Sequence, residues 1–343
     1  MALRPALPRR AGRRTNLALL GLLGIAFVTG VLAYGIGTPT AVTVVVATHG
    51  AAGLGLLLLV PWKAVIVRRS WPHAPNTRSL ATGLGVLVAL AVLTGALHAI
   101  GVAPLSMLLI HVGIALCAAP LLAVHAWGRR QRPRRTDLSR RTLLKAGALA
   151  VGAASLWATG EGTLRLTGAP GADRRGTGSL EHGTDDPTAM PVTQWFTDSV
   201  PTRNGDTITV VVGTKQLTIP IGDLGRGDRV RAVLDCTGGW YAAQDWAGLR
   251  LDRLLRQVTD EVLPEGGSID VISRTGYRRR LPLRDAPNLL LATSAAGFPL
   301  SDGHGAPVRL VAPGRRGFWW VKWVERIEVV DAPWWRQPPF PLQ

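Results

Sequence analysis

The sequence predicts a two-part chain, an N-terminal all-α transmembrane helix bundle followed by a C-terminal α+β domain. Three observations predict it. Four apolar stretches fill most of the first 160 positions with a shorter fifth, each of the four about the 20 residues a helix needs to cross a bilayer. The charge is split: residues 1–159 hold 17 Lys+Arg against one acid, Asp137, while residues 160–343 hold 22 against 21. The second half reads as short strand-like runs separated by turns.

The four long stretches run from about Leu17 to Ile36, Ala41 to Val60, Leu80 to Ile100 and Leu105 to Trp127, and the fifth from Leu143 to Thr159. Glycine is frequent in all of them, as helix contacts in a membrane allow. The connecting segments alternate in charge. Arg4, Arg9, Arg10, Arg13 and Arg14 precede the first stretch, Lys63, Arg68, Arg69 and Arg78 follow the second, and seven arginines from Arg129 to Arg141 follow the fourth. The turns at 37–40 and 101–104 carry no charge. Basic segments stay in the cytoplasm, and Trp62, Trp71 and Trp127 fall at the same boundaries, where indoles prefer to sit. Five crossings from an inside start place everything after about Gly160 outside the plasma membrane, on the periplasmic or extracellular side. The net charge of +17 is thus a topology signal and not the basic face of a nucleic-acid binder. No acidic pair or broken-helix pair suggests a transporter.

The fifth stretch follows "DLSRRTLLKAGA", whose Arg140-Arg141 pair resembles a twin-arginine export signal. That resemblance implies the twin-arginine export machinery as a partner and a domain that folds around its cofactor before export. No small-x-small cleavage site follows, so an uncleaved signal-anchor helix is expected. The plainer reading is the basic flank of an ordinary helix.

His49, His98, His111 and His125 lie in or at the ends of the apolar runs. Ionisable groups there are costly and read as functional by default. His49 and His111 fall at similar depth on helices running the same way, so they can sandwich a haem iron. The alternative is helix-contact histidines making ordinary hydrogen bonds. "ATHGAAG" and "LIHVGIALCAAPLLAVH" are similar to segments of small membrane b-type cytochromes, and the His111–His125 spacing is similar to that of two-haem members. The resemblance implies haem b, with a quinone or haem protein as redox partner and membrane lipid around the bundle.

The boundaries expected are 1–135 for the bundle, 136–160 for the signal-anchor helix, 161–190 for a linker that starts a cofactor loop, and 165–336 for the soluble domain. Strands are expected at "DTITVVVG", "RVRAVLDC", "SIDVISR", "LLLATSAAG" and "PVRLVAP". One helix, "DRLLRQVTD", is expected with Asp252 as its cap and Leu254, Leu255 and Val258 inward. No internal repeat is evident. Cys117 lies in an apolar run and Cys236 in the soluble half, so no disulfide is expected.

Four patterns follow in order: "VLDCTGGWY", "DWAGLRLDRLL", "VISRTGYRRRLPL" and "AAGFPLSDGHGAPVRLVAPGRRGFWWVKWVERIEVV". Together they resemble the sulfite-oxidase family of molybdenum enzymes across most of 165–336. The resemblance implies a molybdenum–molybdopterin cofactor and an oxygen-atom-transfer oxidoreductase. Its substrate is then a small oxo donor or acceptor. Cys236 is the implied molybdenum ligand and catalytic residue; a thiolate suits a soft metal, and metal binding deprotonates it. The plainer reading is a small buried apolar side chain, but Gly238 and Gly239 allow a bulky group close to the backbone. By the same resemblance His304, Arg309, Lys322, Ser273, Trp320 and Val321 bind the pterin, with Thr177, Leu180 and Glu181 in an upstream loop. For Arg309 the alternative is a surface salt bridge.

The chain also departs from that family. Sulfite oxidases follow the cysteine with Ala-Gly-Asn-Arg-Arg, whereas this chain has Thr237-Gly238-Gly239-Trp240-Tyr241, which points away from sulfite. An aromatic near the cysteine is similar to the periplasmic methionine-sulfoxide-reductase branch. Arg278, Arg279, Arg280, Arg315 and Arg316 read as a solvated basic face rather than an anion site. Little chain follows "IEVVDAPWW", so no immunoglobulin-like dimerisation domain is expected. The rival function is a non-catalytic pterin-fold binding module on a membrane anchor, with electrons moved by a separate protein.

Overall fold

In a computed structural model of the chain, the described residues are 12–36, 39–73, 78–102, 104–129, 134, 137, 139–194, 198–202, 207–259 and 266–338. Arg4, Arg9, Arg10, Arg130, Arg132 and Arg135 lie outside them. The chain divides into a helical unit up to Leu180 and a β-rich unit from Glu181.

The helical unit holds α1 (Arg13–Gly35), α2 (Pro39–Ser70), α3 (Arg78–Ile100), α4 (Ser106–Trp127) and α5 (Arg140–Thr167). All five are long and apolar enough to cross a membrane. Their outer faces carry large exposed side chains such as Leu32, Val60, Leu116 and Val124. So extended an apolar surface is compatible with a lipid surrounding. Inside the bundle, small residues let the backbones close. The Trp157 ring of α5 packs against Gly50 of α2, and Leu22 of α1 meets Gly55 of α2. Pro61 in α2 and Pro120 in α4 each leave a carbonyl one turn back without its helical donor. At the basic end, Arg13 of α1 pairs with Asp137 at 2.6 Å.

The expected linker begins differently. Glu161–Thr167 continue α5, which ends at Gly168 in the left-handed conformation (φ 62°), with the Ala169 N–H closing on the Leu164 carbonyl at 3.0 Å. The chain then folds back along the bundle. Gly171 meets the backbone of Ala99–Ile100, Gly176 meets Thr43, and His98 Nε2 donates to the Gly178 carbonyl at 3.0 Å. These contacts, glycine against backbone at Gly171 and side chain against the segment at Thr43 and His98, leave no apolar periodicity in the sequence.

A repeat is present in the bundle. Ala26-x-x-Thr29-Gly30 on α1 recurs as Ala91-x-x-Thr94-Gly95 on α3, and each faces a histidine on the next helix, His49 and His111. Five residues sharing three identities do not stand out in apolar sequence, so inspection passes over them.

The β-rich unit holds two sheets. One runs β1 (Leu180–Glu181), β5 (Trp240–Arg250), β8 (Leu290–Ala295), β10 (Arg309–Val311), with β4 (Asp228–Asp235) beside β5 and β9 (Phe298–Pro299) beside β8. The other runs β3 (Lys215–Pro220), β2 (Thr207–Val212), β11 (Val324–Val330), β6 (Ser268–Ser273), β7 (Arg278–Pro282). Only β11 with β2 is parallel in this second sheet. Alternation drives the packing: Trp240, Ala242, Gln244 and Trp246 turn inward from β5. All five expected strands form. The helix forms as α6 (Leu251–Val258) with Leu254 and Leu255 buried and Val258 half-buried. Asp252 is not its cap; it sits inside the first turn and pairs with Arg256 at 2.7 Å, four residues on.

Candidate cofactor site

Cys236 stands at the tip of a tight hairpin between β4 and β5. Its N–H donates to the Trp240 carbonyl at 2.8 Å, and the Gly239 N–H returns to the Cys236 carbonyl at 3.2 Å. Gly239 turns the chain at φ 88°, a conformation that favours glycine. The Gly238 N–H donates to the Cys236 sulfur at 3.3 Å, a contact that suits a thiolate. The residue is half-buried, and neither cysteine is in a disulfide.

A second strip of backbone faces this tip. β10 is followed by a loop that returns, so that the Leu310 N–H reaches the Val321 carbonyl at 2.7 Å and the Val324 N–H reaches the Val308 carbonyl. The strip places Arg309, Trp320, Val321 and Lys322 together. The Arg274 N–H donates to the Trp323 carbonyl at 2.9 Å, which ties the turn after Ser273 to the same strip. Ser273 is buried and its hydroxyl meets Thr275 at 3.1 Å.

The cations are sunk, not solvated. Arg309 is 1% exposed, donates to the His304 carbonyl at 3.0 Å, and stacks over Trp246 and Trp320 at 5.2 and 5.6 Å. A surface salt bridge is excluded. Burial drops its pKa to about 10, and the nearby Cys236 pulls back upward. Lys322 donates to the carbonyls of Thr193 and Gly303 at 2.9 and 2.6 Å. Burial, then Arg309, push its pKa down to about 8, against Cys236 and Asp198. His304 Nδ1 meets the Ser301 hydroxyl at 2.7 Å. Burial, then Arg309 and Lys322, lower its pKa to about 4, and the carbonyls of Pro191 and Met190 oppose this. Gly305, at φ 105°, lies directly against Arg309 and Lys322, where a side chain would wedge them apart.

These groups fit a phosphate-bearing pterin with a thiolate-bound metal. Arg309 Nε is buried without a hydrogen-bond partner. A buried unpaired donor is expensive, and an anionic ligand with several acceptor oxygens repays it. No cluster of three His, Cys, Asp or Glu exists among the described residues, so a metal held here relies on the cofactor's own ligands besides Cys236.

Two contributors escape sequence reasoning. The Thr193 hydroxyl accepts from Trp240 Nε1 at 2.9 Å and packs on Gly238, while its carbonyl accepts from Lys322, so one residue joins the hairpin to the cation strip. Asp235, beside the cysteine, is buried in an ion pair with Arg316. The expected solvated face of arginines is largely corrected. Arg279 is buried between Phe318 and Trp319, Arg280 pairs with Asp270, and Arg315 pairs with Asp285 at 2.5 Å; only Arg278 is exposed. Sequence shows the basic run but not the acids and rings that cover it.

The upstream residues are scattered. Thr177 and Leu180 belong to the helical unit, and Glu181 is exposed, accepting from the Thr184 N–H at 2.7 Å. In the bundle His49 and His111 do meet. Their ring centroids are 5.8 Å apart at 88°, and each Nδ1 donates to a backbone carbonyl, Ala26 at 2.8 Å and Ala91 at 2.9 Å. That tautomer leaves each Nε2 with its lone pair.

Residues 199–337 match the family model described as the oxidoreductase molybdopterin binding domain. Mitochondrial sulfite oxidase of Drosophila melanogaster is 35% identical over 115 residues, 30% of this chain and 20% of that protein. An NADPH nitrate reductase of Mycosarcoma maydis is 46% identical over 57 residues, 17% of this chain and 6% of that one. The sulfane dehydrogenase SoxCD from Paracoccus pantotrophus, a solved structure, matches 37% of this chain and 38% of its own at 28% identity, with a TM-score of 0.34. The chain therefore spans about a fifth or less of the length of the curated relatives it matches. Residues 199–337 carry an oxidoreductase molybdopterin binding domain, similar in sequence to those of sulfite oxidases and nitrate reductases.

Proposed function

We propose that the chain is a membrane-anchored molybdenum oxidoreductase that transfers an oxygen atom to or from a small substrate on the outer side of the membrane. The observation that carries this is the cluster of buried Arg309 and His304 with half-buried Lys322, two of them acted on electrostatically by Cys236, and with Arg309 Nε buried and unpaired. When bound, the molybdenum–pterin supplies the redox and oxygen-transfer chemistry. The chain's own residues hold and orient it. Cys236 offers the thiolate, Arg309 and His304 offer donors to the anionic end, and Lys322 fixes the loop at Gly303 to Thr193. Thr237–Tyr241, in place of the arginine-bearing run of sulfite oxidases, favours a substrate other than sulfite.

The bundle supports an electron-carrying role in the same chain. His49 and His111 stand with ring centroids 5.8 Å apart, and with each Nδ1 tied to a carbonyl both keep an Nε2 lone pair that a haem b iron could take. Their partner is then a membrane quinone. The exposed Arg140 and Arg141 at the start of α5 suit recognition by the twin-arginine machinery. Molybdenum, pterin and haem are to be measured per polypeptide in the purified full chain. One molybdenum and one pterin are expected. A folded chain that takes up neither in cofactor-replete cells overturns the enzyme reading and leaves a binding module on an anchor.

A further inference from the structure

The repeat in the bundle makes positions on its two halves comparable. His49 on α2 corresponds to His111 on α4, with the same anchoring carbonyl, threonine and glycine on the preceding helix. Fourteen residues further along each helix stand Lys63 and His125. Fourteen residues return a helix to nearly the same face about 21 Å along its axis. The bundle therefore has two equivalent levels, one with His49 and His111 and the other with Lys63 and His125.

The two levels are not built alike. At the first, both rings are held by a backbone carbonyl, with Thr29 and Thr94 hydroxyls 3.5 and 3.4 Å from the same nitrogens. At the second, His125 makes no hydrogen bond among the described residues. Lys63 Nζ donates to the Asn16 side chain at 3.2 Å, and a lysine in its ordinary ammonium form has no lone pair to give a metal. Lys63 and Arg129 both act electrostatically on His125. The chain leaves the bundle at the first level, since residues 171–178 pack on Ala99, Thr43 and His98.

Resting on the haem reading above, we infer that this duplicated bundle takes one haem and not two, held by His49 and His111 at the end where the chain exits. Lys63 takes the place of the fourth axial ligand and keeps iron porphyrin from the other level. Electrons then enter and leave at one side of the bundle and are not relayed across it, which fits a quinone at that same side.

The test is haem stoichiometry of the full chain purified in detergent from haem-replete cells, by the pyridine haemochrome assay. One haem per chain is expected, lost in His49→Ala and His111→Ala and kept in His125→Ala. Lys63→His, which restores an imidazole to the second level, is expected to raise the ratio above one. Two haems in the unaltered chain, loss of haem in His125→Ala, or no rise in Lys63→His overturns the inference while leaving the haem reading standing. No haem at all in the unaltered chain overturns the reading itself and the inference with it.

Discussion

At the scale of single residues, the account turns on charges buried before their partner arrives. His304 is held neutral by burial and by Arg309 and Lys322, with its pKa near 4 against an ordinary 6.5. The unfolded chain therefore binds more protons than the folded one between those values, so stability rises with pH across that window. The cofactor-free chain is expected to lose about 3 kcal/mol between pH 6.5 and 4 through this group. His304→Asn should flatten that limb of a denaturation-against-pH series, and an unchanged slope contradicts it. Arg309→Met removes a buried charged donor worth about 2 kcal/mol in binding, so pterin retention is expected to weaken on the order of 30-fold. The same substitution should not lower the melting temperature of the cofactor-free chain, because it also removes an unpaired Nε.

At the scale of elements, the site depends on close backbone approach. β5 passes β8 with a register shift at Ala247/Gly248, and a Cβ on Gly248 would collide with the Leu291 carbonyl. Gly248→Ala is expected to cost about 1–3 kcal/mol and, by shifting β5, to loosen the Cys236 hairpin at its other end. Thermal melting followed by tryptophan emission checks it. Six helices and five strands were legible beforehand, because apolar run length and periodicity are local signals. β1, β3, β5, β7, β9 and β11 were not. β7 is Arg-rich, and its Arg279 and Arg280 are neutralised by rings and an acid distant in sequence. Cys236, Arg309, Lys322 and His304, singled out in the sequence through their motif, are brought into one region of the β-rich unit. Thr193 was not, since it works through one hydroxyl and one carbonyl in a stretch with no period.

At the scale of the whole molecule, two units of different solvent preference share one chain, an apolar-surfaced bundle and a water-compatible β unit. Export of the second is expected to need the basic pair at the head of α5. With Arg140 and Arg141 both replaced by lysine, residues 181–343 should resist protease added outside intact cells; continued cleavage contradicts the twin-arginine reading. The central claim is that the sulfur of Cys236 is bonded to molybdenum. Its most direct measurement is molybdenum K-edge X-ray absorption on the purified full chain and on Cys236→Ser. The account predicts that the variant retains pterin through Arg309 and its neighbours but shows one sulfur fewer around the metal. Spectra that are the same in both proteins contradict it.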